Sequence, residues 1–71
     1  LTEQQFDRFA EQGIVVAGMT SDQVELALGK PSQIETFDEN GNDIVVWWYE
    51  NRDRRKVIFA SNGVVRSIEK L

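Results

Sequence analysis

The chain has 71 residues, enough for one domain that buries about 60% of the surface its unfolded form exposes. It has no cysteine and no histidine, which excludes disulfides, thiolate metal sites, cysteine nucleophiles and the commonest general base near neutral pH. A net charge of −4 disfavours nucleic acid as a partner, while 41% apolar and 28% charged residues read as a globular chain. No apolar run reaches the roughly 18 residues that a membrane-spanning helix requires. The chain opens at Leu1 rather than methionine, as expected of a processed or excised segment.

The first predicted helix runs from Glu3 to Gln12. Thr2 stands at its N-cap and Gln5 three positions on, the spacing of a capping box, with Leu1 and Phe6 placed as a hydrophobic staple. Phe6, Phe9 and Ala10 share one face, and Gly13 is the expected C-cap. Ile14, Val15 and Val16 form an apolar connector. The second helix, Ser21 to Leu28, repeats the start: Thr20 caps, Gln23 closes the box, and Met19 staples to Val24. Gly29 is expected to end it in the left-handed conformation, and Pro31 blocks continuation.

From Ser32 onward the pattern is that of strands. Gln33 to Phe37 is the first, followed by the turn-rich Asp38-Glu39-Asn40-Gly41-Asn42. Asp43 to Glu50 is the strongest, carrying Ile44, Val45, Val46, Trp47, Trp48 and Tyr49. A polar turn, Asn51 to Arg54, leads to a strand from Lys56 to Ala60. Asn62-Gly63 then signals a two-residue hairpin into Val64 to Glu69. Helices first and a meander after them predict an α+β domain over residues 1–71. Its two helices should lie on one face of a three- or four-stranded antiparallel sheet.

Gly18-Met19-Thr20-Ser21-Asp22-Gln23-Val24, then Leu28-Gly29-Lys30-Pro31, then Trp47 and Tyr49, resemble the G-M-T-x-x-Q-V, L-G-x-P and W-x-Y segments of the SmpA/OmlA (BamE-like) family. The resemblance spans roughly residues 14 to 70. It implies a small two-helix, three-stranded domain of the cell envelope, periplasmic and associated with the outer membrane as a lipoprotein, acting by protein contact in envelope assembly. The lipid-bearing cysteine of such lipoproteins is absent from this chain. The stretch Thr2 to Phe9 reads as a helix and departs from the assembly subunit's N-terminus, so no lipid or subunit contact is carried over.

Catalysis has no constellation to support it. Ser21, Ser32, Ser61 and Ser67 have no neighbouring base that could activate a hydroxyl, and the glycines lack phosphate-loop spacing. Asp38 to Asp43 is rich in oxygen ligands, but a hand-type calcium loop starting at Asp38 would need glycine at the position of Asp43 and glutamate at that of Tyr49. A solvated turn on Asn40-Gly41 accounts for the same residues. The expectation is therefore a non-enzymatic domain without metal or cofactor.

The candidate contact residues are Trp47, Trp48, Tyr49, Arg52, Arg54, Arg55 and Lys56. Strand alternation sends Trp47 and Trp48 to opposite faces, and helices on one side cover only one of them. The other is either an exposed interface aromatic or part of a second small core; both readings stand on sequence alone. The basic cluster suits an acidic protein surface or an anionic membrane, and equally serves as a charged turn. A protein partner leads, with self-association through the aromatic face as another occupant. The runner-up function is an inhibitor-like or recognition module cut from a larger secreted or cytoplasmic protein.

Overall fold

The computed structural model describes residues 2–50 and 54–71; Leu1 and its staple, Asn51, Arg52 and Asp53 lie outside the described residues. Two helices, α1 (Glu3–Glu11) and α2 (Ser21–Leu28), precede four strands. These are β1 (Gln33–Glu39), β2 (Asn42–Tyr49), β3 (Arg55–Phe59) and β4 (Val65–Lys70). The strands pair antiparallel in chain order, β1-β2-β3-β4, so the sheet has four strands. The shortest dimension of 17 Å accommodates one sheet and one helical layer.

Both capping boxes form. Thr2 Oγ1 accepts the Gln5 backbone N–H at 3.2 Å while Gln5 Oε1 accepts the Thr2 N–H at 2.8 Å. The Thr20–Gln23 pair repeats this at 3.3 and 3.0 Å. Gln23 is the one buried polar residue among those described, and its side-chain N–H donates to Asp7 Oδ1 at 3.0 Å. The side chain that starts α2 therefore also ties it to α1.

Three local expectations are corrected. The C-cap of α1 is Gln12, with Gly13 one residue beyond at φ 76°. Gly29 does end α2, but at φ 81° and ψ −165°. That is outside the left-handed helical region and in one essentially restricted to glycine. The β3–β4 connection is not a two-residue turn either. A two-residue type I′ turn needs positive φ at both central residues, and Asn62 does not have it. Gly63 N–H instead donates to the Ala60 carbonyl, and Ala60 N–H to that of Val64, closing a loop over Ser61, Asn62 and Gly63. The β1–β2 connection does use two residues, Asn40 (φ 53°) and Gly41 (φ 84°). Asp38 Oδ1 accepts the Gly41 N–H there at 3.1 Å, so this carboxylate serves the turn.

The main core lies between helices and sheet. Ala10, Met19 and Val24 meet Tyr49, Val57, Phe59 and Val65, with Phe6, Phe9, Leu28 and Trp47 packed around them. The connector after α1 forms no strand but runs beside β4: Gly18 N–H donates to the Val65 carbonyl, and Val65 N–H to that of Met19. A bulge follows in β4, where Ile58 opposite Ser67 and Phe59 opposite Val65 leave Arg66 unmatched.

Candidate functional site

Alternation along β2 assigns every aromatic of its Trp47-Trp48-Tyr49 run to a face. Val45, Trp47 and Tyr49 join the helix-side core; Ile44, Val46 and Trp48 join Ile58 on the opposite side. Neither tryptophan is fully exposed. Trp47 packs its ring against Phe59, centroids 4.9 Å apart and planes at 58°.

Tyr49 is corrected from contact residue to core residue. It is 4% exposed and its hydroxyl donates to the Gly29 carbonyl at 2.8 Å. The bond latches the end of α2 to β2. Burial, helped by the charge of Glu25 and opposed by that of Arg55, pushes the phenol up from 10.0 to about 12. The neutral form is favoured in the fold, so this stabilisation is complete below pH 10 and is lost as pH rises through about 12. Tyr49→Phe is expected to cost about 1 kcal/mol at neutral pH, from the lost hydrogen bond. The variant should also lose less stability than the parent between pH 10 and 12. Tyr49 is the sole tyrosine, so phenolate absorbance follows it directly. A midpoint near the ordinary tyrosine value in the folded protein would contradict the burial argument.

Among the described residues, the basic run does not form one patch. Arg55 pairs with Tyr49 and Lys56 with Trp48 in the β2–β3 register, so the two neighbours face opposite sides of the sheet. Arg54 is exposed, and its carbonyl accepts the N–H of Leu71 at 3.0 Å. Arg52 lies outside the described residues. Of the candidate contact residues, the structure brings Trp48 and Lys56 together on the face away from the helices.

On that face Lys56 Nζ stands 5.3 Å from the centre of the Trp48 ring and 3.4 Å from Glu69 Oε1. Trp48 Nε1 is buried and has no hydrogen-bond partner among the described residues. Ile44, Val46 and Ile58 are only 6–8% exposed although no helix lies over them. A second small core thus exists here, made from the sheet's own side chains. At one end of the sheet Arg66 of β4 reaches Glu39 of β1 at 3.5 Å, linking the two edge strands. Phe37 of β1, on this face by register with Ile44, remains 49% exposed.

The helix side has an opening of its own. A groove of about 310 Å³ lies between Ser21 at the start of α2, Ser61 in the β3–β4 loop, and a floor of Val45, Trp47 and Phe59, with Asp43 at its edge. With no histidine in the chain, neither serine has an imidazole to activate it. No cluster of three metal-ligating side chains occurs among the described residues.

Phe37 and Ile34 escaped the sequence reading as contact candidates. Their signal was present: two large apolar residues of odd and even position in a strand otherwise polar. No family model, curated protein or solved structure matches the chain.

Proposed function

We propose that the chain is a non-catalytic cell-envelope domain that acts by protein–protein contact, in envelope or outer-membrane protein assembly. Its contact surface is the helix-free sheet face around Trp48 and Lys56. One observation carries this reading: both helices pack on the same side, while a tryptophan and a lysine stand together over the other. A half-buried tryptophan beside a cation is the kind of anchor on which binding energy concentrates. The envelope setting draws its support from the Gly18 to Val24 and Leu28 to Pro31 segments and their family resemblance.

Affinity capture from an envelope extract tests the proposal, with circular dichroism confirming that each variant is folded. Trp48→Ala is expected to weaken capture of a specific protein by about 2 kcal/mol or more, roughly thirtyfold. Lys56→Glu should weaken the same capture, while Trp47→Ala should not. Capture unaltered by Trp48→Ala, or no protein captured by the parent chain, rejects it.

A further inference from the structure

The two edges of the sheet are not equivalent. Along β4 the connector before α2 covers the start of the outer edge, through the Gly18–Val65 and Val65–Met19 backbone bonds and the Thr20–Val64 bridge. Along β1 nothing comparable occurs: among the described residues its strand partner is β2 alone, over all seven residues from Gln33 to Glu39. An unpaired edge of this length presents a row of backbone donors and acceptors that a second strand satisfies. Apolar side chains flank that row on both faces. Ile34, opposite Trp47, is 56% exposed on the helix side, and Phe37, opposite Ile44, is exposed on the other.

Charge selects the occupant. β1 holds Glu35, Asp38 and Glu39 and no basic residue. Asp38 lies directly opposite Asp43, and alternation puts both on the helix side, where Asp43 borders the groove. Like charges in a directly opposed pair are unfavourable, and a cation placed beside them relieves that repulsion. A second copy of the chain is the wrong partner. Antiparallel self-pairing over the full strand sets Asp38 against Ile34 and Glu35 against Phe37. Sliding by two residues sets Glu35 against Glu35 in one direction and against Glu39 in the other. The acidic residues that keep two copies apart favour a basic strand.

We infer that the outer edge of β1 docks an extended, cationic segment of a partner protein, adding a fifth strand. Read antiparallel to β1, the segment runs basic-apolar-any-basic-apolar, with basic side chains beside Asp38 and Glu35 and apolar ones beside Phe37 and Ile34. This edge borders the Trp48 face at Glu35 and Phe37, but Trp48 and Lys56 stand on β2 and β3, so its success or failure is read from different residues.

The test uses three capped octapeptides and amide-resolved NMR on the whole chain. One contains the run Lys-Val-Thr-Lys-Val, the second replaces its lysines by glutamate, and the third is the lysine peptide with every backbone amide methylated. The lysine peptide is expected to shift and protect amides of β1. The glutamate peptide should bind at least about tenfold more weakly, and added salt should narrow that gap. The methylated peptide keeps the charge but loses its ladder donors on both edges, so it should also bind about tenfold more weakly. Glu35→Lys with Asp38→Lys should reverse the preference between the first two peptides. No binding of the lysine peptide, shifts centred on Trp48 and Lys56, or undiminished binding after methylation would each overturn the inference.

Discussion

Phe59→Ala is expected to remove about 3–5 kcal/mol of stability, the range for deleting a buried aromatic from a packed core. Phe59 is 3% exposed and sits mid-sheet, opposite Val45 on one side and Val65 on the other. Its ring meets Trp47 at 4.9 Å and forms part of the groove floor. Alanine would forfeit the ring contact, the buried area and the packing that holds β4 against β2 through β3. A domain of this size has a total stability on the order of 5 kcal/mol. The variant should therefore be substantially unfolded at room temperature, with a strongly lowered urea midpoint followed by tryptophan fluorescence. A loss below about 1 kcal/mol would mean that the groove collapses onto the vacated space, and that Phe59 is not a keystone of the core.

Met19→Ala ranks next, at about 3 kcal/mol within the usual range for a fully buried methionine. Met19 is completely enclosed and joins α2 to the sheet by several routes. Its side chain packs in one cluster with Val24, Val57 and Tyr49, and its sulfur receives the Val16 N–H at 3.5 Å. Its carbonyl accepts the N–H of Val65. Met19→Leu preserves most of the volume and should cost less than about 1.5 kcal/mol. The comparison separates cavity formation from loss of the sulfur contact. Equal losses for alanine and leucine in a denaturant titration would overturn the packing explanation.

Local chemistry made much of this fold legible before any coordinates. Thr20 and Gln23 close a capping box because a spacing of three positions brings hydroxyl and amide within reach, whatever surrounds them. The Asn40–Gly41 turn was readable for the same reason, since those residue types tolerate positive φ. Asn62-Gly63 shows where that logic fails. The dipeptide permits the two-residue turn without requiring it, and the bulge and the Thr20–Val64 bridge belong to long-range pairing. Tyr49 was misread as surface because an aromatic strand residue looks the same at an interface or in a core. Its partner, the carbonyl of Gly29, is distant in sequence.

The sequence by itself determined the two helices with their caps, the order of helices before strands, and the opposite facing of Trp47 and Trp48. All of these follow from interactions within a few residues or from the two-residue period of a strand. The tertiary structure decided which tryptophan meets the helices, that Arg55 and Lys56 part company across the sheet, and that β1 pairs with β2 alone among the described residues while the connector covers the start of β4's outer edge. Those outcomes depend on strand register and on where the connector after α1 comes to lie. A one-residue slip would exchange the two faces, and only burial of Met19, Val24, Val57 and Phe59 in a single core rules it out.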